Sequence, residues 1–487
     1  MSLRDPSAER PLVKTKIVAT VGPACAARDQ LKALALAGVD LFRLNFAHGD
    51  HAALERIITD IREISQEISR PTGLLGDLAG PKIRLGELPE EGLSLEEGRE
   101  VTFVRKPADR TDSWHLTSSY PQLIDDVNVG DRILVADGTV TLRVLEKSPE
   151  SATCVVEQPG HVRARQGINL PGVSLSTPSL TEKDRDDLDF ALRQGLDYIG
   201  LSFVRRAEDI RELRQLIDKA NLENRPHIIA KIEKMEAVSD LDRILGETDA
   251  VMVARGDLGV ETDIATIPVL QKRIIRACNC RRVPVITATQ MLESMQTADR
   301  PTRAEATDVC NAVLDGSDAV MLSGETAIGD HPVRVVAMMS RIVREAERLV
   351  APYDEDLSDV HERHQALLTT EAVTAGAGTA AKQLHADLII VATHSGRTAL
   401  SVSRQRGQIP VIALTDRESS ARRMALYWGV TPIVTDIAGK SPQDLLDFVV
   451  RWGREQEMLR SGNRVVLVSM SKWSVGGHDL MLVHAIP

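Results

Sequence analysis

Lys231 and Glu233 stand two residues apart at the end of an apolar run, Ile228, Ile229 and Ala230, within the segment HIIAKIEKMEAV at residues 227–238. In an extended strand, residues i and i+2 project from one face. An ammonium and a carboxylate therefore leave the end of a buried strand side by side. An unpaired buried charge costs several kcal/mol, so mutual pairing is the plain structural explanation. Yet similar groups close other apolar runs. Arg43 and Asn45 end one, Gly76 and Asp77 a second, Arg255, Gly256 and Asp257 a third, and Thr287 with Thr289 a fourth. Capping and surface pairing account for any one of these ends. They account poorly for five together.

Those ends need a frame that aims them at one place. Extended and helical patterns alternate from residue 16: strands at 16–21, 39–46 and 73–78, with helices at 26–37 and 51–68 between them. The rhythm breaks at about residue 86. Short strands with turn signals follow, at 101–104, 132–135, 139–145 and 153–156, with Asp137-Gly138 as a hairpin turn. Alternation resumes at Thr181, where Asp184 three residues on predicts a helix N-cap. Strands at 198–203, 228–232, 250–254, 283–287 and 319–322 bring the total to eight. Eight β/α units predict a TIM (β/α)8 barrel with an inserted all-β module, an open doubly wound sheet being the alternative. A polar link at 352–364 leads to a further doubly wound α/β series from about residue 369. The expected division is a leader at 1–13, barrel segments at 14–85 and 181–356, the β lid at 86–180 and a C-terminal domain at 357–487.

The chain has 487 residues, too many for one core, and a net charge of −11. It has no long basic run and only 3% aromatic residues, which argues against nucleic acid as the main partner. The leader MSLRDPSAERP has no apolar core and no apolar run reaches the length of a membrane span, so neither export nor membrane insertion is expected. Five scattered cysteines with no zinc-like spacing fit reduced thiols. The expected setting is the cytoplasm.

In a barrel, the C-terminal strand ends carry the chemistry. Glu233 and Asp257 fall on adjacent strands, and two carboxylates with open positions suit Mg2+ or Mn2+ completed by substrate oxygens. Arg43 and Lys231 offer donors to a phosphate, and Gly256 admits close backbone approach. A divalent metal, a phosphate clamp and a lid point to phosphoryl transfer. A barrel lyase or aldolase acting on pyruvate or oxaloacetate would use a similar carboxylate pair but needs no lid for a nucleotide. A non-catalytic metabolite sensor would be expected to lack Lys231 or a metal ligand.

The segments KTKIVATVGPA, RLNFAHG, AKIEKMEAV, VARGDLGVE, ITATQMLESM, PTRAEATDV and LSGETAIG together resemble the pyruvate kinase family, from Lys14 to the C-terminus. That resemblance implies transfer of the phosphoryl group of phosphoenolpyruvate to ADP, giving pyruvate and ATP, in a homotetramer. It implies that Lys231 stabilises the transferring group and the enolate oxygen, and that Glu233 and Asp257 hold the metal. Arg43 would grip the phosphoryl group. The amides of Gly256 and Asp257 with the Thr289 hydroxyl would take the substrate carboxylate, Thr289 also lying where a proton reaches the enolate carbon. Asn45, His48 and Arg84 would meet the nucleotide phosphates.

Two departures from the family pattern matter. The usual K+ site draws on NFSHG and DTKGPEIR, which read NFAHG and DLAGPKIR here, with Ala47, Leu78, Ala79 and Lys82 at the changed positions. Two ligands lose side-chain oxygens while an ammonium appears, as in the potassium-independent branch, so no K+ requirement is expected. The lid's lysine pair becomes Arg165-Gln166, leaving Arg165 to supply charge to the nucleotide. In the C-terminal domain, Thr393, Ser395, Gly396, Arg397 and Thr398 open a helix after a strand, a candidate anion site for a phosphorylated allosteric effector. Ser and Thr at such a place also serve simply as helix caps.

Overall fold

Eight parallel strands close into a barrel in chain order, the first pairing with the last. They are Lys16–Thr20, Leu41–Asn45, Gly73–Asp77, Tyr198–Leu201, His227–Ile232, Ala250–Ala254, Val285–Ala288 and Ala319–Leu322. The structure is a computed structural model and describes residues 13–47, 49–105, 114–136, 138–173, 175–350, 369–470 and 478–487. The linker at 352–364, His48 and Asp137 lie outside the described residues. Alternate residues along each strand divide between two cores. Val18, Leu41, Leu75, Ile229, Met252 and Ile286 fill the barrel interior, while Ile17, Phe42, Leu74 and Ile228 face the surrounding helices. The helix His51–Glu67 shows how that outer layer forms. Leu54, Ile58, Ile61 and Ile64 recur at helical spacing on its buried side, and Asp50 caps it by accepting from the Ala53 amide. Thr181 and Asp184 form the expected capping box on helix Glu182–Arg193.

The inserted segment forms a six-stranded sheet and a two-stranded one around a core of its own that includes Phe103, Ile133 and Leu142. Val135 pairs with Val140 across its hairpin. Ala136 and Gly138 take left-handed φ of 53° and 85° in that turn. A Cβ on Gly138 would lie 3.6 Å from Val260, so the hairpin tip reaches the short helix Arg255–Glu261 at the barrel rim.

The C-terminal domain orders its strands Val430–Val434, Val411–Thr415, Leu388–Ala392, Arg464–Ser469 and Leu480–Ala485. The last is antiparallel and half-exposed. It adds to the expected series, because a β/α rhythm predicts parallel strands and gives no sign of an antiparallel edge strand. Among the described residues no helix is long and apolar enough to cross a membrane, and all five cysteines are free thiols.

This domain grips the barrel at the strand starts, opposite the rim. Tyr198 Oη donates to the Arg423 carbonyl at 2.6 Å. Arg422 Nε donates to Asp197 at 2.8 Å, whose other oxygen accepts from Arg62 and the Leu74 amide. An Arg423 N–H meets His227 Nε2 at 3.1 Å, which makes that nitrogen the acceptor and the ring neutral. Burial pushes the His227 pKa down to about 4; Asp249 opposes the shift, while Arg423 and Arg214 add to it. Because the folded value lies below the unfolded one, the unfolded chain takes up the proton first as pH falls. Stability from a neutral His227 is complete above about pH 6.5 and is lost toward pH 4, up to about 3 kcal/mol in all. Urea midpoints should therefore fall more steeply between pH 7 and 5 for the wild type than for His227→Gln. Equal slopes would show that this ring does not report the interface.

Candidate active site

The inward-facing row of each strand continues beyond the apolar interior to the rim. After Leu41 come Arg43 and Asn45; after Leu75 comes Asp77; after Ile229 come Lys231 and Glu233. Lys231 Nζ lies 2.9 Å from Glu233 Oε1 and 3.4 Å from Asp77 Oδ1, and donates to Ser202 Oγ at 2.7 Å. Two nitrogens of Arg43 lie 2.6 Å from Asp77 Oδ2, and a third donates to Thr20 Oγ1 at 3.1 Å. Asp77 thus joins the two cations. Burial alone would raise its pKa, but Lys231 and Arg43 outweigh that and hold it below the usual carboxylate value. Burial likewise opposes charge on Lys231, yet Asp77 and Glu233 lift its pKa well above that of a free lysine. The ammonium is a permanent charge, 12% exposed.

Glu233 is raised, first by burial and further by Asp257, with Lys231 opposing. Its second oxygen accepts from the Phe203 amide at 2.8 Å. Glu233 and Asp257 follow adjacent paired strands, the fifth and the sixth. Asp77 Oδ1, buried, has no hydrogen-bond partner. Among the described residues no group of three or more His, Cys, Asp or Glu side chains could hold a metal ion. Two carboxylates placed after adjacent strand ends nonetheless suit a hard cation that keeps most positions for substrate and water.

Helix Arg255–Glu261 begins directly after the sixth strand and presents Gly256 and Asp257. The Gly256 amide donates to Thr289 Oγ1 at 2.8 Å, and that hydroxyl donates to the Ala288 carbonyl at 2.7 Å. Thr289 and Gln290 adopt left-handed φ of 67° and 52°, costly for a β-branched residue. Arg255 holds them there. Its buried guanidinium donates to the carbonyls of Ala288 and Thr289 at 3.2 and 2.6 Å, and is clamped by Asp308 at 2.6 and 2.8 Å.

The structure therefore brings together Arg43, Lys231 and Glu233, and separately joins Gly256 to Thr289. Asn45 turns its Oδ1 to the Ala47 amide at 3.1 Å. Arg84 donates to the Arg165 carbonyl at 3.1 Å, and the Arg165 side chain pairs with Glu87 at 2.8 Å, both exposed. Lys82 is exposed. Thr393, Ser395, Gly396, Arg397 and Thr398 lie in the other domain. There the Thr393 hydroxyl accepts from the Gly396 amide at 3.1 Å and the Thr398 hydroxyl bonds His478 Nδ1 at 2.8 Å, which leaves Ser395 and Arg397 exposed. Ser202 and the linking role of Asp77 escaped the sequence reading. Even spacing along inward-facing rows gives their positions, Asp77 after Leu75 and Ser202 after Tyr198, but the link through Asp77 joins three strands.

Comparison with known proteins identifies the family behind the fold. Residues 12–336 match the model for the pyruvate kinase barrel domain, and residues 371–484 that for the pyruvate kinase alpha/beta domain. A pyruvate kinase of Clostridium acetobutylicum is 39% identical over 96% of this chain and 98% of its own length. One from Geobacillus stearothermophilus is 40% identical over 97% of this chain and 80% of its own. The crystal structure of a pyruvate kinase from Cryptosporidium parvum superposes with a TM-score of 0.90 at 36% identity, covering 97% and 96% of the two chains. With its barrel, its C-terminal domain and nearly its whole length accounted for, the chain belongs to the pyruvate kinase family of phosphotransferases.

Proposed function

We propose that phosphoryl transfer from phosphoenolpyruvate to ADP is centred on Lys231, and the single supporting observation is its buried ammonium between Asp77, Glu233 and Ser202. A fixed, desolvated cation stabilises charge as it moves onto the enolate oxygen and the transferring group, with no reorganisation at the moment of reaction. Arg43, held by Asp77, grips the phosphoryl oxygens. The Gly256 and Asp257 amides and the Thr289 hydroxyl take the substrate carboxylate, and Thr289 passes a proton toward the enolate carbon. Asn45, His48, Arg84 and Arg165 meet the nucleotide phosphates. Glu233 and Asp257 hold Mg2+ or Mn2+, which when bound offsets the negative charge of substrate carboxylate and phosphate.

This reading extends to two finer points. The enzyme works without K+: Ala47 and Leu78 carry no ligand oxygens, and a tethered ammonium at Lys82 restores a positive field without a binding step. Ser395 and Arg397, exposed at a helix start, take a phosphorylated effector. One coupled assay tests both, following ADP-dependent pyruvate formation with Mg2+ in tetramethylammonium chloride. Added K+ should leave the rate unchanged, and a strong K+ requirement would sink the first point. A panel of sugar phosphates and nucleotides should shift the phosphoenolpyruvate saturation curve; an unmoved curve removes the second.

A further inference from the structure

Lys234, the residue after Glu233, is buried. Its Nζ lies 2.5 Å from Glu261 Oε1, and the two side chains expose 5% and 2% of their surface. Glu261 is the last residue of helix Arg255–Glu261, whose second and third residues are Gly256 and Asp257. Residues four apart share a helix face, so Glu261 lies one turn along from Asp257 on the same side. The pair therefore joins the neighbour of one rim carboxylate to the helix that carries the other. A buried ion pair is a weak source of net stability, because desolvation offsets most of its attraction. Apolar residues of the same size would hold that helix down as well. A pair of charges adds a fixed distance and direction.

We propose that the Lys234–Glu261 pair is a positioning strut that sets Asp257 relative to Glu233 and so tunes the affinity of the divalent-cation site. The proposal rests on the reading of Glu233 and Asp257 as the cation's ligands. Their separation depends on two backbone segments, the end of the fifth strand and the start of the helix. The hydrogen bonds of the barrel fix the first. The second is tied at its N-terminal end by Arg255 to Asp308 and at its C-terminal end by Glu261 to Lys234. Groups that orient ligands without touching the metal are typically worth about 10- to 100-fold in affinity.

The test is Mn2+ binding to the substrate-free, full-length protein, followed by electron paramagnetic resonance. The double variant Lys234→Met with Glu261→Gln removes both charges and leaves neither buried alone. It should bind Mn2+ about tenfold or more weakly, with an unchanged circular dichroism spectrum. The Mg2+ concentration for half-maximal rate should rise in parallel while kcat at saturating Mg2+ recovers, and Lys234→Arg should keep the affinity. Should the double variant not fold, Glu261→Asp alone, one methylene shorter, should still weaken Mn2+ binding. Asp257→Asn, measured alongside, separates the two ideas. If it loses Mn2+ while the strut variants bind as the wild type does, the strut is overturned and the ligand reading stands. If Asp257→Asn itself binds normally, the ligand reading falls and the strut with it.

Discussion

Lys231→Met should lower kcat for pyruvate formation by about 10^3-fold while KM for phosphoenolpyruvate moves far less. Methionine matches the length of the lysine stem, so the change removes charge and a donor more than volume. The group lost is 12% exposed and faces Asp77, Glu233 and Ser202. In that setting a unit charge acts across little water, and its effect on developing negative charge is far larger than at a surface. Lys231→Arg should not restore the rate, because a planar fork cannot stand in for a compact ammonium among three fixed partners. The variant also leaves two buried carboxylates short of a counter-charge, so circular dichroism must accompany the coupled assay. A folded Lys231→Met enzyme within tenfold of the wild-type kcat would sink the assignment.

The rim was legible because it follows from period. Alternation along each strand puts Arg43, Asp77, Lys231 and Glu233 on the inward row, and closure of the barrel needs only eight such strands. Asp77 was visible as a strand end. Its role was not, since a salt bridge to Arg43 and Lys231 is a relation among three strands that no single strand displays. Arg255 shows the same limit more sharply. As part of a charged strand end it reads like its neighbours, yet its guanidinium turns away to hold the Ala288 and Thr289 carbonyls. The hold of one domain on the other is less legible still. Arg422 meets Asp197 and Arg404 meets Asp318 across long stretches of chain, and neither end carries a local pattern.

Those long-range contacts have a common geometry. The C-terminal domain touches residues at the starts of the fourth, fifth and eighth strands, through Asp197 and Tyr198, His227 and Asp318. The chemistry sits at the other ends of the fourth and fifth of these, at Ser202, Lys231 and Glu233. The fifth strand runs directly from His227, against Arg423, to Ile232, beside Glu233. The helix Glu418–Met424 carries both Arg422 and Arg423 to those strand starts. The loop from Thr393 to Thr398 abuts that helix, because Ser420 donates to the His394 carbonyl at 2.7 Å.

Asp318→Asn should therefore cost about 3–5 kcal/mol of stability, and this is the largest structural effect expected outside the rim. Asp318 is fully buried. One of its oxygens accepts from the Val285 amide at 2.8 Å and from Arg404 at 2.9 Å; the other takes Arg404 again and Arg406 at 3.2 Å. Both guanidiniums are themselves buried, Arg406 over the ring of Trp428 at 4.9 Å. Burial pushes the Arg406 pKa down to about 10, with Asp318 opposing and Arg404 adding to the shift. Asparagine keeps the shape and the bond from Val285 but leaves two cations without the carboxylate they share. Arg406→Met should be milder, since Asp318 and Arg404 still pair and one buried charge is gone. Urea midpoints at pH 7 measure both, and kcat at 25 °C should stay near the wild type because the change lies at the far end of the barrel. If Asp318→Asn loses less than about 1 kcal/mol, or no more than Arg406→Met, the two guanidiniums do not depend on this carboxylate and the interface is held by its apolar contacts alone.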